Sequence, residues 1–268
     1  MLADVNGDHM ADIVGFGNAG ALVSLATGNG QFAAPIVGIA SFGATAGAGG
    51  WISNDTYPRE LADVNGDGLA DIVGFGNAGV LVSLATGGGH FAAPITGIAS
   101  FGATAAAGGW ISNDTYPRML ADVNGDHLAD IVGFGNAGVL VSLATGGGHF
   151  AGPILASSSF GATAGAGGWS SQTTYPRELA DINGDGKADI VAFGNSGVFY
   201  ALGQSDGTFG PITSDIASFG ATAGAGGWTN ENTYPRLLAD VTGDHHADIV
   251  GFGNSGVLVA LAHSDFLL

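Results

Sequence analysis

The sequence contains no cysteine, only five lysine and arginine residues, and no apolar run of about 18 residues. The absence of cysteine excludes a disulfide framework and a thiolate metal site. Lys187 is the single lysine, and each of the four arginines follows a Tyr-Pro pair, so no basic patch exists for a nucleic-acid backbone. No membrane span and no secretory leader are visible, and we therefore expect a soluble chain whose location, including secretion, stays open.

The sequence does contain a repeat that organises the whole chain. The unit Leu-Ala-Asp-Val-Asn-Gly-Asp, or a close variant, begins at five positions spaced 59 residues apart, at Leu2, Leu61, Leu120, Leu179 and Leu238. A fixed period of this size is typical of propellers and solenoids, in which each unit buries its faces against its neighbours. Because the repeats account for all 268 residues, we predict a single domain.

Each repeat is expected to form four short antiparallel strands. In the second copy, the first strand is predicted over 57–64, and the second and third are the apolar runs 70–75 and 80–85. A weaker outer strand, interrupted by a proline, is predicted over 91–101. Middle strands that are apolar on both faces predict an all-β propeller of five blades. A solenoid is the weaker alternative, and the lack of helical periodicity excludes helical repeats.

The blade boundaries follow from the period. We expect the blades near residues 1–47, 48–106, 107–165, 166–224 and 225–268. The fifth copy stops before its outer strand, so the pattern predicts an incomplete last blade. Its exposed edge at 257–261 is then a predicted homodimerisation site, because an unpaired strand edge can pair with a second copy.

The three aspartates of each repeated acidic loop account for most of the 23 acidic residues. In the second copy, oxygen-bearing side chains stand at loop positions 1, 3, 5 and 9, which are Asp63, Asn65, Asp67 and Asp71. The carbonyl of Leu69 is available at position 7. This spacing predicts calcium, which takes six to eight oxygen ligands. Gly74 stands where a helical calcium loop carries its bidentate glutamate, so Asp71 must close the site.

The five loops differ at their sixth position. Gly68 and Gly186 occupy it in two loops, while His9, His127 and His245 occupy it in the others, where positive φ is less favourable. We therefore rank the two glycine loops first. The candidate ligands, in that order, are Asp63, Asn65, Asp67, Leu69, Asp71; Asp181, Asn183, Asp185, Lys187, Asp189; Asp4, Asn6, Asp8, Met10, Asp12; Asp122, Asn124, Asp126, Leu128, Asp130; and Asp240, Asp244, His246, Asp248. The alternative is that these side chains only make turns with their own backbone, which leaves three carboxylates per loop uncompensated.

The opposite face of a propeller would carry the second-to-third-strand turns and the long connections between blades. These connections present aromatic, hydroxyl and amide side chains beside small residues that let a ligand approach the backbone. A neutral sugar requires such a mixture, because its C–H face stacks and its hydroxyls need donors and acceptors. The candidates are Trp51, Ser53, Asn54, Tyr57, Arg59, Asn77; Trp110, Ser112, Asn113, Tyr116, Arg118, Asn136; Trp169, Gln172, Tyr175, Arg177, Asn195; and Trp228, Asn230, Tyr234, Arg236, Asn254. Alternatively, the tryptophans are core between blades, and the arginines pair with Asp55, Asp114 or backbone carbonyls.

The order of these motifs carries a family resemblance. The succession Ser-Phe-Gly, Gly-Gly-Trp, Pro-Arg-x-Leu-Ala-Asp-Val-Asn-Gly-Asp-Gly-x-Ala-Asp-Ile-Val-Gly-Phe-Gly-Asn-Ala-Gly-Val resembles the repeat of the Psathyrella velutina lectin family. More loosely, it is similar to the FG-GAP repeats of integrin α-chains. The resemblance covers essentially the whole chain. It implies a calcium-containing β-propeller that binds N-acetylglucosamine, and in some members sialic acid or fucose, in pockets between adjacent blades. Those lectins have seven blades, and Tyr57 and its equivalents stand where histidine is common.

The resemblance implies a multivalent lectin with up to four pockets, with glycans or glycoproteins as partners and Ca²⁺ bound on the other face. A calcium-binding, integrin-like scaffold for protein partners is the alternative, and an engineered or amplified propeller without a selected ligand is a third reading. An enzyme is not expected, because every conspicuous carboxylate is repeated and no blade supplies a unique acid–base pair. His90, His149 and His263 are expected in solvated turns rather than in a catalytic site.

Overall fold

The computed structural model describes residues 1–262, which form a β-propeller of five blades. Four blades contain a four-stranded antiparallel sheet and the fifth contains three strands, so the predicted fold and the incomplete last blade are confirmed. The helical segments of this part of the chain are four single-turn 3₁₀ helices, at Ala46–Ala48, Ala105–Ala107, Ala164–Ala166 and Ala223–Ala225.

The strands are numbered along the chain. Blade 1 contains β1 Leu2–Ala3, β2 Asp12–Phe16, β3 Ala21–Ser24, β4 Ala26–Gly28, β5 Gln31–Phe32 and β6 Ile36–Ile39. Blade 2 contains β7 Arg59–Ala62, β8 Asp71–Phe75, β9 Val80–Ser83, β10 Ala85–Gly87, β11 His90–Phe91 and β12 Ile95–Ile98. Blade 3 contains β13 Arg118–Ala121, β14 Asp130–Phe134, β15 Val139–Ser142, β16 Ala144–Gly146, β17 His149–Phe150 and β18 Ile154–Ser157. Blade 4 contains β19 Arg177–Ala180, β20 Asp189–Phe193, β21 Val198–Ala201 and β22 Thr213–Ser214, and blade 5 contains β23 Arg236–Ala239, β24 Asp248–Gly253 and β25 Gly256–Ala260.

The second strand of an internal blade is buried on both faces. In β8, all five residues from Asp71 to Phe75 are buried. The antiparallel register pairs Arg59 with Gly74 on one side and Phe75 with Val80 on the other. Because a neighbouring blade covers each face, the strand is a continuous apolar run rather than an alternating one.

The outer part of each blade differs from the sequence-based expectation. Instead of one strand over 91–101, blade 2 has a small hairpin, β10 and β11, followed by a separate β12 that pairs with β9. The prediction was wrong because Gly87, Gly88 and Gly89 all adopt positive φ and reverse the chain. Pro94 then separates the hairpin from β12, since it has no N–H to donate to a ladder.

Two smaller corrections concern strand ends and histidines. The first strand of blade 2 is shorter than the predicted 57–64, and its third strand ends at Ser83. His90 and His149 lie in β11 and β17 rather than in turns, although both are exposed as expected. His263 lies outside the described residues.

Four apolar cores join successive blades. Val14 of blade 1 and Ile72 of blade 2 lie in one core, and Val73 of blade 2 and Ile131 of blade 3 lie in the next. The same relation joins blades 3 and 4 and blades 4 and 5. An internal blade therefore packs its two faces against two different neighbours, as the repeat predicts.

The three strands of blade 5 follow the order β23-β24-β25 within the described residues, so β25 lies at the edge of its sheet. Val257, Leu258, Val259 and Leu261 are exposed along this edge.

Within residues 1–262, the structure has no helix long and apolar enough to cross a bilayer.

Candidate functional site

The candidate ligand site lies where the connection between two blades meets the second-to-third-strand turn of the following blade. In blade 2 this turn, residues 76–79, contacts two connections. Trp51 of the preceding connection packs close to Gly74 and Gly76. Thr104 of the following connection donates its N–H to the carbonyl of Asn77 at 3.0 Å. Each turn is thus held between two successive connections.

The tryptophans are buried in the inter-blade cores. Trp51, Trp110, Trp169 and Trp228 are only 4–6% exposed. Trp51 packs against Phe42 with ring centroids 5.2 Å apart and meets Tyr57 edge-on at 6.2 Å. Most of each indole therefore packs in the core between two blades, as the alternative reading expects. Only the margin of the ring reaches the surface.

Two glycines before each tryptophan shape the site, and the residues predicted from the sequence did not include them. Gly108 and Gly109 adopt φ of +105° and +72°. A Cβ on Gly108 would lie 2.6 Å from the indole Nε1 of Trp110, so only glycine lets the backbone approach this ring. The repeated Gly-Gly-Trp motif was the signal that could have identified this role.

A tyrosine and an asparagine meet at the rim of each site. The hydroxyl of Tyr57 donates to Oδ1 of Asn77 at 3.1 Å, and Tyr116 makes the same bond to Asn136 at 3.2 Å. Tyr175 donates in the same way to Asn195 Oδ1 at 3.3 Å, while the Asn254 amide donates to the Tyr234 hydroxyl at 3.2 Å. The structure thus brings the predicted tyrosines and turn asparagines together, 20 residues apart in sequence.

These groups line two cavities of similar composition. A cavity of about 210 Å³ is lined by Gly167, Gly168, Trp169, Tyr175, Gly194, Asn195, Ser196 and Phe199. A second cavity, of about 240 Å³, is lined by Ser218, Gly226, Trp228, Tyr234, Gly253, Asn254, Ser255 and Leu258. Both combine aromatic margins, one tyrosine–asparagine pair and exposed glycine backbone, so they can offer an apolar wall and hydrogen bonds to a small neutral ligand.

The predicted arginines occupy a different position. Arg118, Arg177 and Arg236 are fully buried, and none lines either cavity. Arg118 Nη1 donates to the carbonyl of Phe101, and its Nη2 donates to the carbonyls of Asp55 and Thr56, each at 3.3 Å. Its guanidinium lies over the ring of Phe75 in the preceding blade at 5.4 Å. The arginines therefore join blades.

The buried arginines remain charged at neutral pH although burial lowers their pKa. Burial lowers the pKa of Arg177 to about 9, although the nearby Asp114 carboxylate raises it. Arg236 is paired with Glu231, with Nη2 at 2.8 Å from Oε2. A guanidinium protonated at neutral pH can hold several carbonyls at once, which suits a contact between blades.

The other polar candidates also form hydrogen bonds with the protein, either to the neighbouring connection or within their own segment. Ser112 Oγ donates to Asp55 Oδ1 at 3.0 Å, 57 residues away. The Arg118 N–H donates to Asn113 Oδ1 at 3.0 Å. Gln172 Oε1 accepts the N–H of Arg177 at 3.1 Å in the same way. Ser112 thus joins two connections, and Asn113 and Gln172 hold the first strand of their own blade, while the tyrosines and turn asparagines border the cavities.

The acidic loops lie at the other end of each blade. Asp63 Oδ1 accepts the N–H groups of Asn65 and Gly66 at 3.1 and 2.7 Å, and its Oδ2 accepts that of Gly68 at 2.8 Å. Asp67 Oδ1 accepts the N–H of Leu69 at 2.9 Å. The carboxylates therefore fold the loop tightly about themselves.

The residue at loop position 6 adopts the conformation that the sequence predicts. Gly68 has φ of +83°, and His9, His127 and His245 have φ of +64°, +68° and +69°. In the fourth loop the position-7 side chain is Lys187, whose Nζ lies 2.9 Å from Asp185 Oδ2. This loop therefore already holds a positive charge against one of its carboxylates.

The last carboxylate of each loop lies below the turn. Asp71 is fully buried, and it accepts the N–H groups of Val64 and Ala85 at 3.1 and 2.7 Å. Burial, together with the charges of Asp67 and Asp63, raises the pKa of Asp71 to about 6. Among residues 1–262, no three acidic, histidine or cysteine side chains are placed to hold a metal ion together. Carboxylates alone do not make a cation site here, so amide and carbonyl oxygens would have to complete one.

Comparisons with known proteins bear on the repeat and on the fold. The model of the FG-GAP-like repeat family matches residues 181–251. Over 99% of its length, the chain is similar to a solved lectin from Agrocybe aegerita, with 43% sequence identity and a TM-score of 0.86. That lectin specifically recognises non-reducing terminal N-acetylglucosamine. The chain spans 63% of the length of this lectin.

A second solved structure shares the fold. The Tc holotoxin pore of Photorhabdus luminescens matches 97% of the chain with a TM-score of 0.63 at 20% identity, and the match covers 11% of the toxin chain. The curated proteins contain no match. The resemblance to propeller lectins and FG-GAP repeats is confirmed by the Agrocybe aegerita lectin and by the FG-GAP-like repeat model.

Proposed function

We propose that this chain is a multivalent lectin for N-acetylglucosamine-type or related glycans. The observation that carries the proposal is 43% identity over 99% of the chain to a lectin that recognises terminal N-acetylglucosamine. Catalysis is not part of the proposal, because the conspicuous carboxylates recur in every blade and no pair with separate acid and base roles stands out.

The cavities beside Trp169 and Trp228 are the proposed binding sites. Their volumes of about 210 and 240 Å³ suit one sugar residue rather than a long oligosaccharide. Tyr175 and Asn195 would supply a hydroxyl and an amide to sugar hydroxyls, and the margin of Trp169 would contact its C–H face. The buried arginines would then contribute by holding the connections in place.

The repeat gives the proposal its multivalent form. Four Gly-Gly-Trp connections provide up to four equivalent sites, at Trp51, Trp110, Trp169 and Trp228. Several weak sites on one face gain avidity on a surface that displays many sugar ends. Glycoproteins or glycan-coated surfaces are therefore the proposed partners.

Calcium in the acidic loops is a separate part of the proposal. The support is the oxygen spacing of the five loops and the burial of Asp71 beneath two further carboxylates. Asp63, Asp67, Asp71, the Asn65 amide and the Leu69 carbonyl would hold the ion. A bound cation would neutralise the loop and stabilise the hairpin, at the end of the blade opposite the sugar sites.

The proposal is tested with a glycan array in millimolar calcium, followed by competition with free N-acetylglucosamine. We expect competed binding, because one common sugar end should occupy all the pockets. Tyr175→Phe and Tyr234→Phe remove one hydroxyl from each described cavity and should weaken binding at that pocket by about fivefold. Thr145→Val, on the exposed hairpin of blade 3, is the matched control.

Two outcomes would contradict the lectin proposal. One is a blank array from protein that is folded and loaded with calcium, which would favour a scaffold for protein partners. The other is glycan binding that the two tyrosine variants leave unchanged, which would move the site away from these cavities. Self-association through the exposed edge of the last blade, at 257–261, is a further part of the proposal.

A further inference from the structure

Blade 4 departs from the repeat at two positions that face each other across its middle strands. Phe199 stands in the third strand where the other repeats carry leucine, at Leu22, Leu81, Leu140 and Leu258. Its partner in the antiparallel register is Ala192, where the other repeats carry glycine, at Gly15, Gly74, Gly133 and Gly251. The same register pairs glycine with leucine in the other four blades. Both changes therefore fall on a single cross-strand pair.

The first change adds a methyl group at the base of the Trp169 site. A Cβ on Gly74, the equivalent position in blade 2, would lie 2.6 Å from Cη2 of Trp51. Blade 4 carries this carbon, on the buried Ala192. The ring centroids of Trp169 and Phe160 lie 5.6 Å apart, against 5.1 to 5.3 Å for the equivalent pairs at the other three tryptophans. The indole of Trp169 therefore sits slightly further from its phenylalanine, which leaves room for the methyl group.

The second change places an aromatic ring in the wall of the cavity. Phe199 and Trp169 both line the cavity of about 210 Å³, with ring centroids 5.8 Å apart and ring planes at 85°. A Cβ on Gly194 would lie 2.8 Å from Cε2 of Phe199. At the equivalent Gly76 of blade 2, the nearest side-chain atom belongs to Trp51, at 3.5 Å. The phenyl ring therefore reaches the glycine of the turn, which the leucine of blade 2 does not.

The cavity at Trp228 allows a close comparison. Serine lines both cavities, as Ser196 and Ser255, in a turn that carries alanine in the first three blades, at Ala19, Ala78 and Ala137. Both cavities also have a tyrosine, an asparagine and glycine backbone. In the Trp228 cavity, however, Leu258 stands in the place of Phe199. The phenyl ring is thus the main chemical difference between the two cavities.

We propose that Phe199 makes the cavity at Trp169 the strongest of the four sugar sites and selective for N-acetylated sugars. A hexose with an acetamido group has two apolar parts, the C–H face of its ring and the acetamido methyl. It can therefore contact the margin of Trp169 and the ring of Phe199 at once, whereas an unsubstituted hexose has only the first part. Leucine offers the methyl a smaller apolar surface. The inference rests on the proposed lectin function.

Titration calorimetry of the whole chain with N-acetylglucosamine and with glucose tests the proposal. Wild type should have one site that binds N-acetylglucosamine about three- to tenfold more tightly than the others, as expected for one added aromatic contact. Phe199→Leu gives blade 4 the residue of the other repeats and should remove both this tight site and its preference over glucose. Phe32→Leu is the matched control, because it makes the same change on the exposed outer hairpin of blade 1 and should alter neither.

The reciprocal variant tests whether the ring is sufficient. Leu140→Phe adds a phenyl ring beside Trp110 and should create a second tight site. Circular dichroism checks the fold of each variant, and Ala192→Gly with Phe199→Leu, the pair found in the other blades, replaces a Phe199→Leu chain that fails to fold.

Two outcomes separate this inference from the lectin proposal. Wild type that binds no N-acetylglucosamine would overturn the lectin proposal and this inference with it. Wild-type binding that Phe199→Leu leaves unchanged, in affinity and in preference over glucose, would overturn this inference alone.

Discussion

The two loop faces of the propeller use their repeated polar side chains in different ways. On the acidic face, Asp63 and Asp71 bind backbone groups 2–14 residues away, within their own blade. On the face of the connections, Ser112 and Arg118 bind groups 57–63 residues away, in the preceding repeat. The side chains of the acidic loops therefore stabilise single blades, while the side chains of the connections join blades into one cooperative unit.

The strongest test of this difference is to remove a buried arginine. Arg118→Ala leaves the carbonyls of Phe101, Asp55 and Thr56 without their donor in a buried joint, and we expect it to lower the free energy of unfolding by about 3–5 kcal/mol. Chemical denaturation measures the change. Arg59→Ala is the matched control and should cost less, because Arg59 is only partly buried. Equal losses of stability in the two variants would show that burial of the arginine in the joint does not cause the loss.

The acidic face is tested by calcium. If the loops bind it, each site should stabilise the fold by about 2.7 kcal/mol when the ion is at a hundred times its Kd. A melt in calcium should therefore lie several degrees above a melt in EDTA. Asp63→Asn should reduce this difference by weakening one loop. A melting temperature that does not change between EDTA and millimolar calcium would remove the metal from the proposal.

A smaller effect is expected at the glycine before the tryptophan. Gly108→Ala adds a Cβ at 2.6 Å from Trp110 Nε1 in a backbone with φ of +105°, which should cost about 2–3 kcal/mol and disturb the adjacent pocket. Gly109→Ala is the control, since its Cβ would meet nothing within 4 Å, and should cost about 1 kcal/mol. Thermal unfolding and sugar binding are both measured. Similar losses for the two would show that φ, not contact with the indole, sets the requirement.

The smallest expected effect is a pH dependence of stability that comes from Glu178. This residue lies in β19, the first strand of blade 4. Burial raises the pKa of Glu178 to about 7, and the charges of Glu231 and Glu60 add to this. The folded state therefore holds a proton that the unfolded chain releases near pH 4.5, so stability falls as the pH rises through 7.

Glu178→Gln should thus gain about 1–3 kcal/mol over wild type at pH 8 and nothing at pH 4. Denaturation at the two pH values measures the gain. The exposed Asp206→Asn is the control and should show no gain at either value. A Glu178→Gln gain that is the same at both pH values would exclude titration as its cause.

Much of this architecture is predictable from the sequence. The 59-residue period predicts the five blades. Glycine or histidine stands at position 6 of each acidic loop, and the positive φ that these residue types indicate is found there. These features are local, because they depend on the conformational limits of single residues and on apolar patterns along one strand.

The candidate site was only partly predictable. Trp110 and Arg118 have the residue types of a sugar site, yet both are buried by contacts with the preceding blade. The outer hairpin was missed because three consecutive glycines reverse the chain where a strand pattern continues. Residue type does not reveal whether a side chain is covered by a segment of the preceding repeat. The packing of neighbouring blades determines which side chains are buried and which reach the surface.

Because successive copies start 59 residues apart with no insertion or deletion between them, a blade can be inserted or lost at any joint without shifting the register of its neighbours. Each additional unit brings one more core and one more Gly-Gly-Trp connection. Resistance to unfolding and the number of sugar contacts would therefore rise or fall together. A single unequal recombination between repeats would change both properties in one step.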